Sequence, residues 1–164
     1  MYEVIDNFLS EEDLIKIEEV ILRSVDFPWY YQPSISFDEK KSKSVLFYLI
    51  HMFYSNHRPS SNYFPLVIPL LNKLQPKALI RVKGNFYPNQ GVKDLDEMHQ
   101  DYPFKHKGAI FSLNTCNGGT LLKDKTLISS VRNRMLLFDP SELHDSIGCT
   151  DNNKARININ INYF

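Results

Sequence analysis

Several things are scarce in this sequence, and each shortage narrows the reading. Charge of one sign is missing: 19 lysines and arginines match 19 aspartates and glutamates, for a formal net charge of zero. Such a chain offers no general electrostatic reason to bind nucleic acid or an anionic membrane, although a local basic patch is compatible with the total. Cysteine is nearly absent. Cys116 and Cys149 are the only two, and they form no CxxC or other close pairing, which argues against zinc or dithiol redox work and leaves two reduced, partly buried thiols. No apolar run is long enough to cross a bilayer. The opening Met1-Tyr2-Glu3-Val4-Ile5-Asp6 has no basic region followed by an apolar stretch, so the expectation is a soluble, cytoplasmic chain. Repeats, low-complexity tracts and a convincing linker are also missing. The 164 residues therefore read as one domain over 1–164, long enough for a real core and short of two.

What is present changes texture near Pro76. Before it, Tyr2 to Ile5 reads as a short strand, and Ser10 with Asp13 resembles a capping box that opens a helix. Leu14, Ile17, Ile21 and Val25 then share one face, the pattern of a packing helix. Residues 38–44 are polar and charged, as in an exposed loop. Val45 to Tyr54 is apolar and aromatic, either a buried strand or a short helix. From Asn62 to Leu74 apolar residues recur at helical spacing, and Pro69 either kinks that helix or marks its true start. After Pro76 come short β-rich runs: Ala78 to Phe86, Gly108 to Leu113, Thr120 to Leu122, Thr126 to Val131, Met135 to Phe138 and Arg156 to Tyr163. Asn117-Gly118-Gly119, Arg132-Asn133-Arg134 and Asp139-Pro140-Ser141 supply turns between them. The fold class expected is mainly β with N-terminal helices. Helical support over about 1–76 would carry a double-stranded β-helix, or jelly-roll, core over about 77–164.

The polar residues that could carry chemistry lie in that second part. In an extended segment side chains alternate, so His99 and Asp101 of His99-Gln100-Asp101 point the same way. A strand neighbouring Met135 to Phe138 could bring His144 to them. Two imidazoles and one carboxylate can hold iron(II) on one face and leave adjacent positions open. Arg156 opens the last β run, and Arg156-Ile157-Asn158-Ile159-Asn160-Ile161-Asn162 sets a polar row against an isoleucine row. Either the polar row faces inward and needs a ligand or hydrogen-bond network, or it faces solvent. Asn85 and Tyr87 form a second pair on one strand face, suited to a bound dicarboxylate or else to an edge strand.

These residues, taken in order, resemble the iron(II)- and 2-oxoglutarate-dependent oxygenases, and within them the prolyl-4-hydroxylase-like group and small phage-type members. The resemblance is carried by Arg81 to Tyr87, His99-Gln100-Asp101, Asn117-Gly118-Gly119-Thr120, Ser130 to Arg134, His144, Arg156 to Tyr163 and Phe27-Pro28-Trp29-Tyr30-Tyr31. It implies Fe(II) bound by His99, Asp101 and His144, with 2-oxoglutarate held by Arg156 aided by Tyr87, Asn85 and Asn158, and dioxygen as the second cosubstrate. Prolyl hydroxylases generally place lysine where this chain has Arg156. The Asn85-Phe86-Tyr87 and Arg156-Ile157-Asn158 patterns are instead similar to the nucleic-acid demethylase branch.

The function expected is a dioxygenase that hydroxylates a protein side chain or small molecule, releasing succinate and carbon dioxide. The alternatives are an oxidative nucleic-acid demethylase of the same fold, a non-catalytic metal-binding jelly-roll module, and a metal-free structural or carbohydrate-binding sandwich. Around the site, Pro88 to Met98 is a candidate flap or an ordinary loop. Trp29, Tyr30 and Tyr31 are core packing or a substrate wall. Tyr102, Phe104 and His106 are candidates for the entrance. His51, His57 and His106 have no comparable partners and read as surface or packed histidines.

Overall fold

A computed structural model describes residues 1–33, 46–93, 95 and 98–164. The polar loop expected over 38–44 and the start of the Val45 run lie outside these residues, as do three positions (94, 96 and 97) of the candidate flap.

The first helix, α1 (Glu11–Glu18), begins where the sequence caps it. Ser10 is extended and its hydroxyl accepts the Asp13 backbone N–H at 3.2 Å, while Glu11, Glu12 and Asp13 place negative charge at the positive end of the helix dipole. A π-helical turn, Glu19–Arg23, extends it. Leu14, Ile17 and Ile21 are buried as their spacing predicts, but Val25 is 97% exposed. The chain has already left the helix at Ser24, which is extended. A 3₁₀ turn, Phe64–Val67, leads into α2 (Ile68–Leu74), where Pro69 occupies the first turn. The proline therefore marks the helix start, where its missing N–H costs nothing.

Eleven strands are described: β1 (Glu3–Ile5), β2 (Tyr30–Gln32), β3 (Tyr48–Ser55), β4 (Arg58–Pro59), β5 (Leu79–Pro88), β6 (Lys107–Ser112), β7 (Gly119–Leu122), β8 (Leu127–Ser129), β9 (Arg134–Phe138), β10 (His144–Ile147) and β11 (Ala155–Tyr163). Eight form a large antiparallel sheet in the order β1-β9-β6-β11-β5-β3-β2, with β4 on β3. The other three form a small sheet, β10-β7-β8. The Val45 to Tyr54 run is thus resolved as strand. It turns into β4 through Asn56 and His57, both at positive φ (51° and 58°) as a two-residue hairpin requires. The part before residue 77, expected to be mainly helical support, carries four strands beside its helices, including the expected strand at Glu3–Ile5. β1 and β3 belong to the large sheet, β1 pairing with β9 and β3 with β5.

β11 lies between β5 and β6 and is buried along its whole length. Its Ile157, Ile159 and Ile161 pack into the main core with Phe53, Val82, Phe111, Met135 and the helical residues Leu14 and Leu70. The opposite face of β11 therefore looks between the two sheets. Asn133 ties the N-terminal segment to this frame. At φ 64° its carboxamide donates to the Leu9 carbonyl (3.0 Å) and accepts the Leu9 N–H (2.9 Å), and Arg132 clamps Glu11 and Glu18 beside it. No helix among the described residues is long and apolar enough to cross a membrane.

Candidate metal centre

Strand pairing fixes which side chains meet on the inner face of the large sheet. Cross-strand partners set Tyr87 beside Arg156, Asn85 beside Asn158 and Ser112, Lys83 beside Asn160 and Ile110, and Arg81 beside Asn162 and Gly108. β3 extends two of these rows with Ile50 opposite Asn85 and Met52 opposite Lys83. The period of two that sends the isoleucines into the core sends Arg156, Asn158, Asn160 and Asn162 here, and all four are buried. The solvent-facing alternative for the polar row is thereby excluded. The edge-strand alternative for Asn85 and Tyr87 goes with it, because β5 has β11 on one side and β3 on the other.

Above these rows the small sheet contributes His144. It has a strand of its own, β10, and its backbone N–H and carbonyl exchange hydrogen bonds with those of His99 at 2.9 and 2.8 Å. That pair brings the His99-Gln100-Asp101 segment alongside β10. His99, Asp101 and His144 then offer ligand atoms that all lie within 4.8 Å of one another.

The surroundings orient these ligands. His144 Nδ1 lies 3.0 Å from the Glu142 carbonyl, which fixes the proton there and leaves Nε2 as the donor atom for a metal. Asp101 accepts from Arg81 Nη2 at 2.9 Å through one oxygen, and from Asn162 and Asn160 at 2.9 and 3.3 Å through the other. Burial would raise the Asp101 pKa, but Arg81, His144, the Asn162 hydrogen bond and Lys83 together hold it well below the carboxylate range. Burial, and then His99, push the His144 pKa down against the pull of Asp101. Both ligands are thus held in the deprotonated form that binds a cation. Two nitrogens and one carboxylate oxygen, oriented this way, suit a divalent transition metal with open positions.

Arg156 stands at the other end. It is 1% exposed, donates to Thr120 Oγ1 at 3.0 Å, and sits 5.5 Å from the Tyr87 ring. Its Nε has no partner, and among the described residues it has no ion pair. Its Nη1 reaches the Ile147 carbonyl at 3.5 Å and the charge of Asp145 acts on it from a distance, but no carboxylate among the described residues pairs with it directly, so the buried guanidinium suits an incoming anion. The cavity between the triad and this end is narrow, about 30 Å³, and is lined by Tyr48, Lys83, Asn85, Tyr87, Ser146 and Asn158 among others. Tyr87 lies between the cavity and Arg156, with its phenol 3.2 Å from Ser146 Oγ across the gap. Larger hollows of about 530 and 780 Å³ lie by Phe138 and Glu142 and beside β2 and β3, but neither contains the triad.

Other expectations sort clearly. Trp29 packs edge-on against Phe27 and Phe86, whereas Tyr30 and Tyr31 are exposed. His51 is buried and satisfied by the Pro28 carbonyl and Ser61, and His57 is exposed. His106 is not at an entrance: it is buried, its Nδ1 bonded to the Phe104 carbonyl and its Nε2 facing the Asn162 amide behind Asp101. Cys116 and Cys149 are free and buried. Sequence reasoning did not single out Arg81, Lys83, Tyr48, Thr120 or Ser146 as site residues. The alternation Arg81-Lys83-Asn85-Tyr87 was the available signal for the first two.

No family model and no curated protein matches the sequence. Solved structures do match in shape. A prolyl hydroxylase from Trichoplax adhaerens, solved with a hypoxia inducible factor oxygen degradation domain peptide, aligns over 99% of this chain and 83% of its own, with TM-score 0.71 and 16% identity. An oxidoreductase of the 2OG-Fe(II) oxygenase family from Burkholderia pseudomallei covers 99% and 84%, with TM-score 0.71 and 11% identity. A viral collagen prolyl hydroxylase from Paramecium Bursaria Chlorella virus-1, in its 2OG complex, covers 98% and 93%, with TM-score 0.59 and 14% identity. The chain has the fold of these oxygenases, a double-stranded β-helix with short helices packed on it.

Proposed function

We propose that this protein is an iron(II)- and 2-oxoglutarate-dependent dioxygenase that hydroxylates a small molecule or a protein side chain. The observation that carries the reading is the convergence of His99, Asp101 and His144 between the sheets of this fold. When bound, iron(II) with 2-oxoglutarate and dioxygen supplies the oxidising chemistry, in which 2-oxoglutarate becomes succinate and carbon dioxide and one oxygen atom goes to the substrate.

The residues of the chain bind, orient and exclude water. His99, Asp101 and His144 would hold the metal, with Arg81, Asn160 and Asn162 keeping the Asp101 carboxylate aimed. Arg156 would anchor the far carboxylate of 2-oxoglutarate and so gain the anion its burial calls for. Asn85 and Asn158, joined at 2.9 Å, line the path between. At about 30 Å³ the cavity is too tight for a five-carbon diacid. Binding therefore requires Tyr87 to leave Ser146 and open the way to Arg156, where its phenol can donate to the incoming carboxylate.

Calorimetric titration under anaerobic conditions tests the assignment. The wild-type chain should bind one iron(II) and then 2-oxoglutarate. His144→Ala and Asp101→Ala should lose iron affinity by at least about 100-fold, since even residues that only orient metal ligands are worth 10–100-fold. Arg156→Met should keep iron and weaken 2-oxoglutarate by about tenfold or more, the scale of a lost charge-assisted hydrogen bond. Unchanged iron affinity in His144→Ala would reject the centre. Succinate release by the loaded protein separates an enzyme from a metal-binding module without turnover.

A further inference from the structure

Lys83 is the one cation of the cavity that this reading leaves unused. It stands on the inner face of β5, opposite Asn160 on one side and Met52 on the other, next to the row that carries Arg81 and Asn162. It lines the same cavity as His99, Asp101 and His144. Among the described residues it makes no hydrogen bond and no ion pair, and its Nζ stands 5.5 Å from the centre of the Tyr48 ring. The acid that lines the cavity, Asp101, is already engaged by Arg81, Asn160 and Asn162. Burial and the charge of Arg81 push the Lys83 ammonium down to about 7, against the pull of Asp101. Met52 beside it is apolar and Asn160 on the other side is turned to Asp101, so neither neighbour gives the ammonium a partner and an uncharged side chain would be the cheaper occupant of position 83. A lysine here is explained by something anionic that arrives.

That anion differs from the one Arg156 awaits. Lys83 and Arg156 are two rows apart along the strand direction, about 13 Å at the rise of an antiparallel strand, with the Asn85–Asn158 row between them. Beyond Met52 the sheet borders the hollow of about 780 Å³ lined by Tyr30, Gln32, Ile50, Met52 and Pro59.

We propose that Lys83 receives a carboxylate of the substrate to be oxidised, so that the substrate is a small carboxylic acid. This rests on the oxygenase reading of the site. A single ammonium in a narrow cavity matches a singly charged, planar carboxylate better than a tetrahedral phosphate dianion.

The probes for the test are N-acetyl amino acids and their carboxamides, matched pairs that differ only in the charge. They are titrated calorimetrically into anaerobic protein loaded with iron(II) and 2-oxoglutarate. Wild type should prefer the carboxylate of a pair by about tenfold or more, the scale of one charge-assisted hydrogen bond. Lys83→Met should erase the preference, Lys83→Arg should keep part of it, and 2-oxoglutarate affinity should change less than about twofold in either. A wild type without carboxylate preference, or a preference that survives in Lys83→Met, overturns the proposal. A tenfold loss of 2-oxoglutarate affinity in Lys83→Met also overturns it, by assigning the lysine to the cosubstrate. If wild type binds neither iron nor 2-oxoglutarate, the oxygenase reading fails separately, and the same titration of metal-free protein still reads the carboxylate preference of Lys83.

Discussion

Asn162 would contribute to the proposed metal centre without touching the metal. Its amide donates to Asp101 Oδ2 at 2.9 Å and faces His106 at 3.3 Å, and the side chain is fully buried. Asn162→Ala should therefore leave the fold standing while lowering iron affinity by 10–100-fold, the usual effect of releasing a ligand from its orienting partner. Iron titration of the folded variant checks it, and equal affinity would assign Asn162 to packing alone. Lys83 predicts a pH effect whose sign is unlike that of an ion-paired lysine. Its folded pKa, about 7, lies below the ordinary 10.5. Between these values the unfolded chain holds a proton that the folded chain lacks, so stability rises with pH across that window as the cost of burying the ammonium is relieved. The rise is at most a few kcal/mol, reduced by the partial solvent access of the side chain. Urea denaturation of metal-free protein from pH 6.5 to 10 should show that rise in wild type and a flatter course in Lys83→Met. At this scale Arg156 was legible because its row alternates with isoleucines at the period of two, whereas His99, Asp101 and His144 were marked out as a set by the family resemblance. Arg81 and Lys83 were not, because cations alternating with Val82 and Gly84 look the same on a half-exposed strand. Only the pairing of β3 outside β5 encloses them.

Among the elements, β11 was the most legible and β10 the least. Its alternation marked it as a strand and left open which way the polar row faces; pairing with β5 and β6 and burial of all nine residues make it a central strand with two enclosed faces. His144-Asp145-Ser146-Ile147 has too few apolar residues to signal a strand, and its pairing with β7 and with His99 is what makes it one. The turn before β9 was visible as a turn, but its duty was not. Asn133 accepts and donates to Leu9 across 124 residues of sequence, a relation that no local pattern contains. Asn133→Gly keeps the positive φ and loses both hydrogen bonds, whereas Asn133→Ala loses the bonds and adds backbone strain. Urea unfolding should place Gly roughly 1–3 kcal/mol below wild type, for a buried Leu9 amide left without partners, and Ala about a further 1 kcal/mol below Gly. Equal values for the two would show that the left-handed conformation is not held in solution.

The whole molecule is lopsided in a way that would make a bound metal a structural tie. The large sheet carries the main core, with α1 and α2 packed on its outer face. The small sheet has three short strands, is joined to the large one by contacts such as Arg156 with Thr120 and Tyr87 with Ser146, and carries His144. Asp101 is bonded to the large sheet through Arg81 and Asn162, so a metal held by Asp101 and His144 would bridge the two sheets. A ligand that binds only the folded state stabilises by about 2.7 kcal/mol at 100 times its Kd. In a chain of this length that raises Tm by roughly 5–10 °C. Adding a chelator to iron-loaded protein should reverse the gain, and His144→Ala should show none. Because the small sheet has few apolar contacts of its own, hydrogen exchange should slow on loading more in β7, β8 and β10 than in β5 and β11, which are already enclosed. Uniform slowing over both sheets, or a chelator-insensitive Tm, would mean that the two layers are held together without the cation, and that the three ligands meet for a reason other than binding it.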